Sequence, residues 1–441
     1  SVNFKDKIPT DVKNILTRLE EAGYRADIVG GPVRDMLMGK TPADYDITTS
    51  ATPEEIKAVF AKEKTVDTGI KHGTVSLILG GVQYEITTYR TDGEYLDARH
   101  PESVSFSRSI EDDLCRRDFT VNAMAYSPIR GYADPFGGRQ DLKDGVLRCV
   151  GDAEKRFSED ALRILRGVRF AVRYRLTPET QTQRAMEELS FLMDNLARER
   201  VFYELCKLLP LLKAEDILLF QPILTHIIPE LAPCVGFCQH NPHHAYDVFT
   251  HTAYVVENTP NDLAIRWAAL LHDTGKLTTF TVDSAGQGHF YGHAEKSAEM
   301  ANAILLRLKA PTALREEVIF LISQHMTRLE ADKKLLRRRI GRLGAESIQK
   351  LLALQEADMG SKGTGKPAEL AQFAEIRAVL EEIKAENACL SLKDLALNGH
   401  DLMALGITGK AIGETLNALL EKVMEEELPN EKQALLAFLQ R

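Results

Sequence analysis

Two closely spaced aspartates and one glutamate offer the clearest chemistry in the N-terminal part of the sequence. Asp44 and Asp46 are two residues apart in a segment that predicts a β-strand, so their side chains should point to one face. Converging carboxylates repel each other unless a cation lies between them, and Mg²⁺ prefers such oxygen ligands and shares them with substrate phosphates. Glu85 on a neighbouring predicted strand is the candidate third carboxylate. Two metal ions held there would activate a hydroxyl nucleophile and stabilise a pyrophosphate leaving group.

Just upstream, the segment GGPVRDMLMG combines two glycines with an arginine. Gly30 and Gly31 at a predicted helix start would let backbone N–H groups approach a phosphate, and Arg34 would add positive charge. The segment is not a dinucleotide-binding fingerprint, because it lacks the G-x-G-x-x-G spacing and the parallel strand context. A plain turn next to a solvated aspartate pair explains the same spacing, so both interpretations stay open on spacing alone.

Histidines are concentrated in the second half of the chain, where nine of the 12 lie between His226 and His325. Several of them fall on predicted helices close to aspartates. Imidazole nitrogens mixed with carboxylates suit Mn, Ni, Co, Fe or Zn better than Ca. A single histidine on an apolar helix is usually a packing residue, so a metal site requires several of them to converge.

The elements that would position these residues change in type along the chain. Up to about residue 145, short apolar strands alternate with helices, which predicts a mixed sheet flanked by helices. The segment TVSLILGGVQYEITTYR predicts a hairpin that turns at Gly80 and Gly81 and carries Glu85. From Ala153 onward the helical period dominates, and EDALRILRGVRFAVRYRL predicts one helix with an arginine-rich face.

Length and composition indicate an ordinary globular protein of several domains. The chain has 441 residues and a net charge of −9, which argues against nucleic-acid binding by overall charge but not by a local basic face. Apolar runs are too short for a membrane span, and the first residues have no signal-peptide pattern, so we expect a cytoplasmic protein. The six cysteines are scattered, which is not typical of a disulfide framework.

Five motifs between Gly30 and Leu205 resemble, in order, those of class II tRNA nucleotidyltransferases and bacterial poly(A) polymerases of the polymerase-β superfamily. They read GGPVRDMLMG with ADYDI, RRDFTVNAMAY, DPFGGRQDLKDGVLR, SEDALRILRGVRFA and RERVFYEL. The resemblance implies a polymerase-β-like α+β head with a mixed sheet and Mg²⁺ at Asp44 and Asp46. It also implies an all-α remainder that comprises a neck, a metal-dependent domain and a tail.

The same resemblance implies roles for the arginine-rich motifs. RRDFTVNAM would bind the triphosphate and ribose of an incoming nucleotide through Arg116, Arg117, Asp118 and Asn122. Asp160 and Arg163 would present hydrogen bonds to the Watson–Crick edge of C or A, and we expect them on one helix, three residues apart and facing the same way. An ordinary surface salt bridge is the alternative for this pair. Arg166 and Arg169 on the same face complete the nucleotide-binding candidates.

His272 and Asp273 resemble the signature of HD phosphohydrolases. Asp358 matches the late aspartate of that pattern, and a transition divalent metal (Mn, Ni, Co, Fe or Zn) would be held by His251, His272, Asp273 and Asp358. His293 and His325 resemble the extra ligands of two-metal members. The resemblance implies hydrolysis of 2′,3′-cyclic or terminal phosphates.

The sequence therefore predicts a nucleotidyltransferase that adds CCA, without a nucleic-acid template, to tRNA lacking part or all of that end. It would use CTP and ATP and need neither a membrane nor an obligate protein partner. The predicted parts are a catalytic head (1–145), a helical neck with the base-selecting motif (146–215), an HD domain (216–360) and a tRNA-binding tail (361–441).

Three alternatives stay open. The loop DGEYLDARHPESVSF resembles the family's flexible loop, which argues against an enzyme that adds only CC but leaves CCA addition and A-only addition both open. A bacterial poly(A) polymerase shares the head motifs. A protein of another class, a metal phosphohydrolase whose head only binds RNA, would explain the histidines.

Overall fold

The computed structural model describes residues 4–69, 72–92, 104–106, 109–364, 367–386 and 391–441. Most of the loop DGEYLDARHPESVSF lies outside the described residues. The chain divides into two compact units, Ser1–Leu211 and Leu212–Arg441, here called unit 1 and unit 2. The finer division into four parts stays a prediction.

Unit 1 is built on a seven-stranded mixed sheet in the order β3-β4-β5-β2-β1-β8-β9. Strands β2 and β5 run parallel, whereas the other neighbouring pairs are antiparallel. The strands of this sheet are β1 (Ala26–Val29), β2 (Asp46–Thr49), β3 (Lys64–Gly69), β4 (Thr74–Leu79), β5 (Val82–Thr88), β8 (Ala125–Ser127) and β9 (Gly131–Ala133). Two separate two-stranded sheets pair β6 (Arg90–Asp92) with β7 (Val104–Phe106) and β10 (Val146–Leu147) with β11 (Thr177–Pro178).

The predicted hairpin is confirmed as β4–β5, and glycine suits both positions of its two-residue turn. Gly80 and Gly81 have φ values of 55° and 79°, in the left-handed region that favours glycine and that a type I′ hairpin turn uses at both positions. Beyond the turn, β5 buries Tyr84 and Ile86 and leaves Glu85 on the exposed face. The turn and the alternation of the strand together direct Glu85 away from the core.

Helices flank this sheet and continue to the end of unit 1. They are α1 (Thr10–Glu21), α2 (Gly31–Leu37), α3 (Pro53–Val59), α4 (Ile110–Cys115), α5 (Gly138–Asp144), α6 (Ala153–Glu159), α7 (Leu162–Tyr174), α8 (Thr180–Glu188) and α9 (Arg198–Leu208). The core of the sheet region joins Ile15 and Leu19 of α1 to Ile28, Ile47 and Ile86 of three strands. Burying these side chains stabilises the fold by about 25 cal/mol for each Å² of apolar surface that is removed from water.

Unit 2 is mostly helical. Its helices are α10 (Ala214–Leu219), α11 (Gln221–Ile227), α12 (Val248–Asn258), α13 (Leu263–Leu271), α14 (Lys276–Thr279), α15 (His293–Arg307), α16 (Thr312–Gln324), α17 (Lys333–Leu343), α18 (Ala345–Gly360), α19 (Pro367–Ala385), α20 (Gly399–Ala404), α21 (Lys410–Met424) and α22 (Lys432–Leu439). A small hairpin joins β12 (Phe280–Val282) to β13 (Gly288–Phe290).

The predicted fold class is confirmed: a mixed sheet with flanking helices comes first, and a mostly helical remainder follows. The sequence did not predict the β12–β13 hairpin. Among the described helices, none combines the length and the apolar composition that crossing a bilayer demands.

Candidate functional site

The three predicted carboxylates of unit 1 lie at the start of one strand and beside it. Asp46 is the first residue of β2. Asp44 was predicted to lie in the same strand, but it comes just before the strand. Glu85 of β5 is the register partner of Asp46. Register partners on parallel strands project to the same face, and all three residues are exposed to solvent.

The electrostatics of Asp46 show that these carboxylates act on one another. Surrounding protein atoms raise the pKa of Asp46 by desolvation, Glu85 and Asp44 raise it further, and Arg117 opposes them. Like charges therefore accumulate here without full compensation from the protein. Carboxylate oxygens suit Mg²⁺, which prefers oxygen ligands and leaves coordination places for phosphates. Among the described residues, however, Asp44, Asp46 and Glu85 do not form a group whose ligand atoms all lie within 4.8 Å of one another, so the three-carboxylate metal site stays a prediction.

Arg116 and Arg117 are held by a carboxylate that the sequence analysis did not single out. Asp113 is fully buried and accepts a hydrogen bond from Arg116 Nε at 3.4 Å and from an Arg117 terminal nitrogen at 3.4 Å. Burial and the neighbouring Arg116 lower the pKa of Arg117, while Asp113 and Asp46 counteract them. The signal was present in the spacing, because Asp113 is three and four residues before the two arginines on or next to α4.

Gly30 brings the backbone close to this arginine pair. Its φ is 77°, and a Cβ at this position would be 3.0 Å from a terminal nitrogen of Arg117 and 3.6 Å from the carbonyl oxygen of Asn122. Any larger residue would be both strained and crowded. Gly31 begins α2 directly afterwards. The phosphate-binding role of both glycines stays a prediction.

Arg34 is not a free surface charge. The residue is 6% exposed. Its guanidinium donates to Asn122 Oδ1 and to the Tyr174 hydroxyl at 2.6 Å, and it lies 4.1 Å from the centre of the Tyr174 ring. These contacts favour a positioning role, in which Arg34 joins α2 to Asn122 and to α7. Its predicted contact with phosphate is not tested by this geometry.

Asp118 connects Asn122 to α7. One carboxylate oxygen accepts from Asn122 Nδ2 at 3.3 Å and from the Phe119 backbone N–H at 2.8 Å, and the other accepts from Arg166 at 2.9 Å. Burial would raise the pKa of Asp118, but Arg166 and Arg163 outweigh burial and lower it. Asp118 therefore stays ionised and holds one arginine of the α7 face in place.

The expectation that Asp160 and Arg163 share one helix is wrong. Helix α6 ends at Glu159 and α7 begins at Leu162, with Asp160 between them in extended conformation at φ −151° and ψ 106°. Asp160 Oδ1 accepts the Leu162 N–H at 3.1 Å, because a short carboxylate competes with the helix for nearby backbone donors.

Asp160 and Arg163 also have different partners. Asp160 Oδ2 is 3.4 Å from a terminal nitrogen of Arg200. Arg163 donates to Glu159 at 2.8 Å and to the Arg116 carbonyl at 3.1 Å. The structure therefore links Arg163 to the arginine pair of the preceding motif rather than to Asp160 through a surface salt bridge.

Arg169 faces another element of unit 1. Its Nε donates to Glu204 of α9 at 2.8 Å, and its guanidinium lies 4.9 Å from the centre of the Phe170 ring. Glu204 is 4% exposed. This buried pair holds α7 against α9, and a contact of Arg169 with nucleotide stays a prediction.

The histidines and aspartates predicted for unit 2 converge from several helices. His251 of α12, His272 at the end of α13, the adjacent Asp273 and Asp358 of α18 offer ligand atoms that all lie within 4.8 Å of one another. His251 Nε2 is 2.7 Å from Asp358 Oδ1, and His272 Nε2 is 3.1 Å from Asp273 Oδ2.

A second group shares one of these aspartates. Asp273, His293 and His325 form another set with the same 4.8 Å limit, and His293 Nε2 is 3.3 Å from His325 Nε2. His293 begins α15 and His325 follows α16. Asp273 is therefore positioned between two groups of imidazoles.

Backbone carbonyls orient all four imidazoles in the same way. The Nδ1 atoms face the carbonyl oxygens of Ser361 (2.9 Å), Ala269 (2.6 Å), Phe290 (3.0 Å) and Ile322 (2.5 Å) for His251, His272, His293 and His325 respectively. A carbonyl only accepts, so this contact favours a proton on Nδ1 and leaves the Nε2 lone pair directed at the cluster. Metal-ligating histidines are typically oriented in this manner.

The carboxylate and imidazole atoms of this cluster are better suited to bind divalent ions than to form a network of hydrogen bonds. Both carboxylate oxygens of Asp273 are buried and face several nitrogen atoms at once: Oδ2 lies 3.1 Å from His272 Nε2 and 3.4 Å from Lys276 Nζ, and Oδ1 lies 3.6 Å from His293 Nε2. With Nδ1 protonated, the facing Nε2 atoms of His293 and His325 are two acceptors without a proton between them. Buried acceptors in contact are costly unless a cation lies between them.

The pKa values describe the same imbalance. Burial would lower the pKa of His272, but Asp273 and Asp358 outweigh burial and raise it to about 10. Burial and the neighbouring His272 lower the pKa of His325 to about 4. The cluster thus accumulates negative charge near His272 and excludes a proton from His325, as a site for cations would.

A cavity of about 230 Å³ opens onto the cluster. It is lined by Asp273, His293 and Asp358 together with the cations Lys276 and Lys362. Lys276 is buried, donates to Gln239 Oε1 at 2.7 Å and lies 3.4 Å from Asp273 Oδ2. An anionic group that entered this cavity would find positive charge next to the candidate ligands.

Comparisons with known proteins agree with the architecture. Residues 26–148 match the family model described as Poly A polymerase head domain, and residues 290–439 match that described as tRNA nucleotidyltransferase domain 2, putative. The CCA-adding enzyme of Leuconostoc mesenteroides is 51% identical over 199 residues, which are 45% of this chain and 49% of that protein. This chain thus matches about half the length of that relative.

Two further similarities extend over nearly the whole chain. The CCA-adding enzyme of Lactiplantibacillus plantarum is 33% identical over 428 residues, which are 97% of this chain and 94% of that protein. The crystal structure of the Bacillus stearothermophilus CCA-adding enzyme in complex with CTP has a TM-score of 0.66 and 27% identity, with 98% of each chain covered.

A mixed sheet that carries Asp46 and Glu85 at one register, together with these matches, defines the class as a nucleotidyltransferase. Within that class, the near-complete match to the Lactiplantibacillus plantarum protein shows that the chain belongs to the CCA-adding enzyme family.

Proposed function

We propose that this protein adds CCA to the 3′ end of tRNA that lacks part or all of it, using CTP and ATP with Mg²⁺, in the cytoplasm. The observation that carries the proposal is the pairing of Asp46 with Glu85 at one register, with Asp44 and Arg117 close enough to act on the pKa of Asp46. Family membership and the CTP complex of the Bacillus stearothermophilus relative support the choice of substrates.

In this proposal Asp44, Asp46 and Glu85 hold Mg²⁺. When bound, Mg²⁺ supplies Lewis acidity that favours ionisation of the RNA 3′-hydroxyl and offsets charge on the leaving pyrophosphate. The 3′-oxygen forms a bond to the α-phosphorus as the bond from that phosphorus to pyrophosphate breaks. Arg116 and Arg117, fixed by Asp113, orient the triphosphate for this in-line displacement.

The remaining nucleotide-binding residues would select and hold the base and ribose. Asp118 and Asn122 contact the ribose side, and Arg163 and Asp160 present a donor and an acceptor to C or A. Asp160 lies between two helices, so its carboxylate is placed by an extended residue that directly precedes α7 rather than by a helix interior. Residues 361–441 would contact tRNA without reading its sequence, by binding its phosphates.

The test of this proposal compares three RNAs: tRNA without CCA, tRNA ending in CC, and an unrelated RNA. Sequencing of the products should show CCA on the first, a single A on the second and no extension of the third. Addition only to the CC end would identify an A-adding enzyme, and extension of all three with A would identify a poly(A) polymerase. The Asp46→Ala variant should lose addition while it still binds tRNA in a gel-shift measurement.

For unit 2 we infer a second activity, hydrolysis of a 2′,3′-cyclic or terminal phosphate by an HD-type site. The convergence of four carbonyl-oriented imidazoles on Asp273 and Asp358 supports it. Bound Mn, Ni, Co, Fe or Zn ions would supply Lewis acidity to the phosphate ester. Lys276 would bind the negative charge of that phosphate.

Its test measures turnover of bis(p-nitrophenyl) phosphate and 2′,3′-cyclic AMP with Mn²⁺ or Ni²⁺. Asp358→Ala should abolish turnover and leave nucleotide addition intact. Absence of turnover with every metal, in protein that still adds nucleotides, would overturn the inference. Turnover without any nucleotide addition would instead favour the metal phosphohydrolase with an RNA-binding head.

A further inference from the structure

The mouth of the histidine cluster carries two large apolar side chains that are open to solvent. Tyr291 is 73% exposed and Met326 is 61% exposed. Both line the same cavity of about 230 Å³ that contains Asp273 and Asp358. Each also lies next to a candidate ligand in the sequence, since Tyr291 precedes His293 by two residues and Met326 directly follows His325.

Tyr291 is held in a fixed orientation by its neighbour. Its ring stacks on that of His289 with centroids 5.2 Å apart and an angle of 11° between the planes. His289 Nε2 in turn lies 2.8 Å from Asp283 Oδ2 across the β12–β13 hairpin. The stacking contact with His289 therefore orients the exposed ring of Tyr291.

The chemistry around this surface indicates what would lie on it. Lys276 and Lys362 line the same cavity and attract an anion toward the cluster. The cavity is smaller than the roughly 300–1,000 Å³ that enclose a whole small-molecule ligand, so a ligand bound through its phosphate would extend onto the rim. Nucleobases stack on aromatic rings, and methionine adapts well to flat aromatic partners.

We propose that Tyr291, supported by His289 and joined by Met326, is a stacking platform for the nucleobase of a ribonucleotide phosphate ester whose phosphate binds at the cluster. This inference rests on the proposed phosphohydrolase function of unit 2. It specifies the substrate class of that site as a nucleoside phosphate rather than a phosphate ester without a base. It also assigns Tyr291 as a residue that determines specificity without taking part in the chemical step.

The experiment uses the full-length, Mn²⁺-loaded protein and two substrates that differ in the base. 2′-AMP has an adenine, and β-glycerophosphate presents a phosphate on a secondary carbon without any base. Tyr291→Ala should raise KM for 2′-AMP roughly tenfold, as expected for the loss of one base–aromatic contact, with kcat changed less than about twofold. KM for β-glycerophosphate should not change.

Two further variants complete the set. Tyr291→Phe retains the ring and should restore the KM of the unsubstituted protein. Val282→Ala changes another exposed apolar residue of the same hairpin and should behave like the unsubstituted protein. An unchanged KM for 2′-AMP in Tyr291→Ala, or an equal rise for both substrates, would overturn the platform.

Binding measurements keep this test separate from the proposed hydrolysis. If neither substrate is hydrolysed, the phosphohydrolase proposal fails, and calorimetric titration of the same Mn²⁺-loaded proteins with 2′-AMP still tests the platform. Binding of 2′-AMP to unit 1 would be the same in every variant, so a difference between variants isolates unit 2. Weaker binding in Tyr291→Ala that Tyr291→Phe restores supports the platform, and equal binding in all of them overturns it.

Discussion

Asp46 and Glu85 occupy the same register on two parallel neighbouring strands, and each stands on the exposed face of the sheet. The strands belong to distant parts of the sequence, so the fold rather than local spacing brings these carboxylates together. Glu85 is also one of the groups that raise the pKa of Asp46, after desolvation and against the effect of Arg117. Charge of one sign is therefore concentrated at the start of β2.

Replacement of Glu85 by Gln tests whether this concentration serves metal binding. The change removes one anionic oxygen ligand, so nucleotide incorporation should fall at least about tenfold and need more Mg²⁺. It also removes a group that raises the pKa of Asp46, so the acid limb of the pH–rate profile should move to lower pH. Rates measured across pH at saturating and limiting Mg²⁺ check both effects.

Glu54→Gln provides the matched control, because Glu54 is exposed on α3 and belongs to no part of the candidate site. It should leave both the rate and the profile unchanged. Full activity of Glu85→Gln at limiting Mg²⁺ would exclude Glu85 from the metal site and leave Asp44 and Asp46 as the candidate pair.

A second prediction concerns Asp113, which fixes two arginines from a fully buried position. Asp113→Asn removes the negative charge between Arg116 and Arg117 and allows the guanidinium groups to repel each other. KM for both CTP and ATP should rise roughly tenfold, which corresponds to about 1.4 kcal/mol of lost positioning. Steady-state kinetics with each nucleotide measures it, and Asp112→Asn at the neighbouring exposed position should have no effect. A rise for one nucleotide only would assign Asp113 to base selection instead.

Some of this site was predictable because it depends on local patterns. The period of two in β5 and the glycine turn before it were enough to direct Glu85 to the exposed face. Five ordered motifs were enough to indicate the fold class of unit 1. The cluster of unit 2 could be predicted from His272 and Asp273 because the other candidate ligands, His251 before them and Asp358 after them, stand in a recognisable order.

Other features depend on tertiary contacts that no local pattern contains. The place of Arg34 near two glycines predicts a phosphate contact, but it does not reveal the partners Asn122 and Tyr174, which come from distant parts of unit 1. The helical period continues through Asp160, yet the Asp160 side chain accepts the Leu162 N–H and interrupts the helix. In both cases a polar side chain found a partner that the hydrophobic pattern does not reveal.

A third prediction follows from the ion pair between the buried Asp118 and the partly exposed Arg166. The folded-state pKa of Asp118 lies below its ordinary value of 3.8, so the pair contributes stability that is fully present above about pH 3.8 and lost as pH falls through the folded-state pKa. Asp118→Asn should lower the free energy of unfolding by about 2 kcal/mol, the scale of a hydrogen bond to a charged group. Urea unfolding should show a difference that is constant from about pH 5 to about pH 8 and smaller below about pH 4. A difference that grows as the pH falls would contradict the assignment.

The fourth prediction concerns the number of ions in unit 2. If Asp273 joins two sites, the chain reloaded with Mn²⁺ should retain two ions, His325→Ala one, and Asp273→Ala none, because only Asp273 belongs to both groups. Elemental analysis after gel filtration counts the ions, with every protein carrying Asp46→Ala so that ions held by unit 1 do not add to the count. His400→Ala, an exposed histidine outside both groups, should retain two. Metal removal should also lower the melting temperature of the unsubstituted protein, since ligand binding to the folded state alone stabilises it. One ion in both the unsubstituted protein and His325→Ala would show that His293 and His325 pack around a single-metal site.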